Sequence, residues 1–255
     1  MRYKESFKEY VSLNDSIDTV GDFFFAFKDN YSSMYFNILQ EKNNYNGKEE
    51  TSVEFIPFNS NDLSEVRSDG KVVISYQNNI NDVYSIAHEI THKFSQPRYQ
   101  NSTIKSFLGE TSTIAMEFLL EEYLLNNTSY DKDSREYKIF SINGENYLND
   151  IVNKGNLQFP IRQRYVIGTA LACDFNQKEE KNTVKKEQLS YLIDILGHTN
   201  LSLEDDLRIA KGLDIPILNN NSFEITDGAL ERIANNYKNE INNTLAKENT
   251  KDKSY

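Results

Sequence analysis

Two of the chain's three histidines stand four residues apart, in the run Asn81-Asp82-Val83-Tyr84-Ser85-Ile86-Ala87-His88-Glu89-Ile90-Thr91-His92-Lys93-Phe94. Val83, Ile86, Ala87, Ile90 and Phe94 recur at helical spacing, which predicts an amphipathic helix with one buried stripe. Asp82 is the expected N-cap, its carboxylate accepting from first-turn amides. On such a helix His88 and His92 lie one turn apart and can reach a common point. This HExxH pattern lets a single helix offer two imidazoles to one metal ion. Glu89 is turned far enough away to reach a water at the metal without becoming a ligand. The plain alternative is a helix that happens to hold two histidines. Their scarcity in this chain weighs against it.

Nitrogen ligands joined by one carboxylate, with a coordination position left open, suit catalytic Zn2+. The third ligand is expected downstream, where Phe107-Leu108-Gly109-Glu110-Thr111-Ser112-Thr113-Ile114-Ala115-Met116-Glu117 begins another helical pattern. Glu110, Thr113 and Glu117 share a face of it by i, i+3, i+7 spacing. Glu110 is the candidate ligand. Thr113 and Glu117 would stand behind the ligands, one of them orienting a histidine through its second ring nitrogen. An ordinary solvated carboxylate stripe would have the same spacing.

Around this pair the chain reads as mainly α with a small β-sheet. Helical spacing also covers Asp18 to Lys42, Arg135 to Asn153, Arg162 to Phe175, Val184 to Leu196, Leu203 to Leu213 and Asp227 to Leu245. The helices already introduced are expected over Asp82 to Gln96 and Thr103 to Leu125. All four prolines fall between these segments, where a residue without an amide hydrogen does least harm. Lys71 to Gln77 is the clearest strand, entered through Ser68-Asp69-Gly70, and Ser52 to Phe58 is a weaker one. Glu41 to Glu50 reads as a polar loop. No linker stands out, so residues 1–246 are expected to form one domain, followed by a solvated tail over residues 247–255.

Charge and composition narrow the partners. The net charge is -11, with no face rich in Lys and Arg, which argues against a grip on nucleic acid or an anionic membrane. Phe23 to Phe27 is the densest apolar run, far short of a bilayer span, and is expected in the core. Cys173 is the only cysteine, and the charged N-terminus lacks the apolar stretch of a secretory signal. A cytoplasmic protein is therefore expected. Cys173 is read as a small buried residue and His198 as a surface one.

Residues Gly70 to Leu125 resemble the oligoendopeptidase F and thimet oligopeptidase family of zinc peptidases. The likeness extends beyond HExxH. Val72 to Tyr76 followed by Asn79 to His88 is similar to that family's strand, turn and helix leading into its motif. Glu110, with Thr113 and Glu117 at their offsets, is similar to its third-ligand helix. More weakly, Phe159-Pro-Ile-Arg162-Gln-Arg164-Tyr165-Val-Ile-Gly168 resembles the family's tyrosine-bearing segment across the cleft, and Leu203 to Leu245 its closing helices. The resemblance implies a zincin-like helical catalytic domain. The family's large helical N-terminal lobe, its histidine ahead of the tyrosine segment and all but one of its tyrosines have no counterpart. The face that the lobe would cover is left for a partner chain.

The activity this implies is metalloendopeptidase hydrolysis of peptides or unfolded protein, with Glu89 as general base. Tyr165 is the candidate second donor to the oxyanion, or else a core tyrosine. Arg162 would bind a peptide carboxylate, or else lie solvated. Val72 and Ile74 belong to a strand that either offers an open edge to an extended substrate or is covered. Two further readings remain open: a protease dedicated to one partner protein, and a non-catalytic binding descendant of the fold.

Overall fold

The computed structural model describes residues 10–45, 47–59, 64–95, 103–128, 172 and 182–197, with side chains from residue 109 onward in the 103–128 segment and from 185 onward, residue 195 excepted, in the last. These residues are mostly helical, with two small sheets. The elements in order are α1 (Leu13–Phe27), α2 (Asp29–Gln40), β1 (Lys42–Tyr45), β2 (Lys48–Thr51), β3 (Val53–Pro57), β4 (Glu65–Val66), β5 (Val72–Tyr76), α3 (Ile80–Phe94), α4 (Thr103–Asn127) and α5 (Asn182–Leu196).

The expected single helix from Asp18 to Lys42 is two helices. The first starts earlier, at a Ser12 cap whose side chain accepts from the Asp15 amide. It ends at Lys28, whose extended backbone (φ -168, ψ 130) turns the chain back into α2. The fold-back lets both helices feed one aromatic cluster. Phe24 lies 5.1 Å from Phe94 and 5.5 Å from Tyr35, while Tyr31 meets Phe27 and Phe94 edge-on at 5.0 Å each, centroid to centroid. Such tilted and edge-on contacts add to the apolar burial of the rings. The two buried hydroxyls find acceptors. Tyr35 donates to the Ile17 carbonyl at 2.9 Å, and Tyr31 meets Ser190 Oγ of α5 at 3.3 Å. Of the apolar run, Phe23, Phe24 and Phe27 are buried and Phe25 is exposed.

Glu41 to Glu50 is not a loop. Its residues form the antiparallel hairpin β1–β2, with Lys42 opposite Thr51 and Tyr45 opposite Lys48. The sequence Asn46-Gly47 between them is a two-residue hairpin signal, and Gly47 takes the positive φ of 82° that the turn requires.

The three-stranded sheet has the order β3-β5-β4. Strand β3 runs parallel to β5, with Val53 opposite Val72 and Phe55 opposite Ile74, and β4 pairs antiparallel to Val72 and Val73. The open-edge expectation for Val72 and Ile74 is thereby corrected. Their strand is the middle one, and both side chains are fully buried in the core. Helix α3 packs on β5, on α1 and along α4. It is buried on nearly every side, with only His92 and Lys93 partly exposed.

The start of α3 also differs from expectation. Asn79 is the N-cap, its side chain accepting from the Asn81 amide at 2.9 Å, and Asp82 sits three residues in. Asp82 reaches back to accept from the amides of Gln77 at 2.8 Å, Asn78 at 2.6 Å and Asn79 at 3.4 Å. This capping box ties the end of β5 to the first turn of α3 and so fixes where the helix begins. Burial pushes the Asp82 carboxyl up to about 6, against the pull of the three amides. A folded pKa above the unfolded value means that the folded state binds more protons between the two. The stability contributed by this group is therefore full below about pH 4 and is lost as pH rises through about 6. Urea midpoints measured across that window should fall less steeply with rising pH in Asp82→Asn than in wild type. Parallel profiles would assign the dependence to other groups.

No described helix is long and apolar enough to cross a membrane.

Candidate metal centre

Helix α3 carries His88 and His92 on the side that faces α4. Their rings stand 4.8 Å apart, centroid to centroid, at 81° to each other. Glu110, from α4, comes between them. Its Oε2 lies 3.5 Å from His88 Nε2 and 3.5 Å from His92 Nε2. One ligand atom from each of the three side chains falls within 4.8 Å of the others.

Two of the three separations are near metal-ligand spacing, while the three atoms as a set spread to 4.8 Å. Two ligand atoms each ~2.0–2.2 Å from a tetrahedral zinc stand about 3.4 Å from one another. A direct charge-assisted N–H···O bond would instead close to ~2.7–2.9 Å. The donor set points the same way, since two imidazoles and one carboxylate leave a fourth position for water or substrate. His88 and Glu110 are each only 2% exposed, whereas the His92 side chain is 21% exposed. The three donors therefore reach solvent at the His92 side.

Behind His88 stands Glu117. Its Oε1 lies 2.7 Å from His88 Nδ1, with both groups buried. A carboxylate there holds the proton on Nδ1 and leaves Nε2 to face Glu110, the tautomer that a metal-ligating imidazole needs. Thr113 does not share this task. Its hydroxyl donates to the Glu110 carbonyl at 2.9 Å, within its own helix. It thus braces the turn that carries Glu110. Glu89 is 2% exposed and close enough that its charge favours the protonated form of His88.

The His88 and Glu110 side chains shift each other's titration. Burial pulls the His88 imidazole down, but its contacts with Glu110 and Glu117 outweigh burial and push it up to about 10. Burial raises Glu110, yet the charge of His92 and the contacts with both imidazoles hold its carboxyl well below the usual range.

At Gly109 an added Cβ would stand 3.9 Å from His92 Nδ1, an ordinary van der Waals contact, so the approach of the ring does not itself require glycine there. Tyr165 and Arg162 lie outside the described residues, as do Cys173, His198, the tail and four of the expected helices apart from Ala172.

None of the family models, characterised protein sequences or solved structures compared with the chain matches it.

Proposed function

We propose that the chain is a zinc-dependent metalloendopeptidase with a zincin-like catalytic domain, acting in the cytoplasm on peptides or unfolded protein segments. The observation that carries this reading is the convergence of His88, His92 and Glu110 from two helices at metal-ligand spacing. The HExxH sequence and the resemblance of Gly70 to Leu125 to the oligoendopeptidase F family support it.

In this reading His88 Nε2, His92 Nε2 and the Glu110 carboxylate hold the ion. When bound, zinc supplies Lewis acidity, polarising a scissile carbonyl and making water nucleophilic near neutral pH. Glu89 takes a proton from the attacking water and returns it to the leaving amine, as a general base that then serves as acid. Glu117 keeps His88 in its ligating tautomer through Nδ1. The Tyr165 hydroxyl is proposed to donate to the oxyanion as the tetrahedral carbon forms, and Arg162 to hold a peptide carboxylate.

The test is digestion of a mixed peptide library, read by mass spectrometry. Zinc-loaded protein is expected to produce defined cuts that a chelator abolishes and added zinc restores. A protein that binds zinc stoichiometrically but leaves the library intact would sink the general peptidase reading.

A further inference from the structure

The two imidazoles of the proposed metal centre are not held alike. His88 is 2% exposed, and its Nδ1 stands 2.7 Å from the Glu117 carboxylate. The His92 side chain is 21% exposed. Its Nε2 faces Glu110 at 3.5 Å, but its Nδ1 meets no hydrogen-bond acceptor among the described residues. Along that edge of the ring lies Gly109, where an added Cβ would stand 3.9 Å from Nδ1 and 4.0 Å from Cε1. Glycine has no side-chain acceptor to offer there.

Glu110 belongs with the held half. It is 2% exposed, and two fully buried hydroxyls brace the turn that carries it. Thr113 donates to the Glu110 carbonyl at 2.9 Å, and Ser112 to the Gly109 carbonyl at 2.7 Å. A ligating imidazole is kept in one tautomer and orientation largely by the group that accepts its second N–H. For His88 that group is a buried carboxylate, and turning the ring would break a charge-assisted hydrogen bond. For His92 the acceptor left is solvent, which follows the ring as it turns.

We propose that His92 is the exchangeable ligand of the centre: the metal enters and leaves by detachment of this imidazole at the exposed side, while His88 and Glu110 keep their places. The proposal rests on the metal site of the reading above and deepens it, and it does not depend on peptide cleavage. Gly109 then sets the exchange rate, because it leaves His92 Nδ1 without an acceptor from α4.

Cobalt(II) in place of zinc gives a direct readout, since a paramagnetic ion shifts the ring protons of its ligands away from the rest of the proton spectrum. Cobalt-loaded wild type is expected to show the His88 ring N–H as a slowly exchanging resonance and the His92 N–H in rapid exchange with water. Glu117→Ala should bring the first into rapid exchange, which assigns it. Zinc release to an excess of a coloured chelator is timed in parallel. Gly109→Asn, whose amide oxygen can accept from Nδ1, is expected to slow release by about tenfold. Gly109→Ala adds van der Waals contact without an acceptor and should release zinc within about twofold of wild type. If Gly109→Asn does not fold, the wild-type cobalt spectrum decides alone. Two equally protected N–H resonances, a rapidly exchanging His88 N–H in wild type, or folded Gly109→Asn that releases zinc as fast as Gly109→Ala would each overturn the proposal and leave the metal site standing. Wild-type protein that takes up neither ion would remove the site itself and the proposal with it.

Discussion

Glu89→Gln is expected to lower kcat for peptide cleavage by about a hundredfold to ten-thousandfold, with zinc content unchanged. The substitution preserves the shape of a side chain that is 2% exposed and removes only its charge and its capacity to take a proton. The ligands His88, His92 and Glu110 are untouched, so the metal stays. A buried carboxylate becomes a neutral amide, so the fold should not suffer for lost solvation. KM should move little compared with kcat, because the missing proton transfer belongs to the transition state. Steady-state cleavage beside zinc analysis by mass spectrometry reads both quantities. Undiminished turnover at full zinc occupancy would remove Glu89 from the mechanism. Joint loss of zinc and activity would instead make Glu89 part of the metal's support.

The grouping of His88, His92 and Glu110 was legible in the sequence because helical periodicity fixes relative direction. Once His88 and His92 lie on one helix, their convergence follows from the turn length alone. The α4 stripe was legible for the same reason, but the division of labour along it was not. Thr113 and Glu117 both follow Glu110 on its face. Which one meets His88 depends on how α3 and α4 sit against each other, a tertiary fact that spacing leaves open. The start of α3 was misplaced by three residues because Asn79 and Asp82 are both good caps. The choice was made by Asp82 reaching back to three amides at the end of β5. The break at Lys28 has neither proline nor glycine to announce it. It follows from the need of Phe24, Phe27, Tyr31 and Tyr35 to reach one core from two directions. The β1–β2 hairpin did carry its Asn46-Gly47 signal, but strands as polar as Lys-Asn-Asn-Tyr and Lys-Glu-Glu-Thr lack the alternation by which strands are recognised.

Glu117→Ala should weaken zinc binding by about tenfold to a hundredfold, although Glu117 is proposed never to touch the metal. The argument runs through His88. With Glu117 in place, Nδ1 keeps its proton at 2.7 Å from a carboxylate oxygen, which leaves Nε2 as the nitrogen that would ligate the metal. Removing the carboxylate frees the ring to take either tautomer and other orientations, and it lowers the basicity of the donor nitrogen. It also leaves a buried imidazole N–H without that acceptor, a loss of order 1–3 kcal/mol that metal-free protein should show as lower stability. Glu117→Gln separates the two contributions. Its amide oxygen can still accept from Nδ1, so the tautomer and ring direction are retained while the charge is lost, and its zinc affinity should fall between wild type and Glu117→Ala. Competition against a fluorescent chelator gives the three affinities, and urea unfolding of the metal-free proteins gives the stabilities. A Glu117→Ala protein that matches wild type in zinc affinity would mean that the packing around His88 alone holds the ring. The 2.7 Å contact would then belong to the stability of the α3–α4 interface and not to the metal.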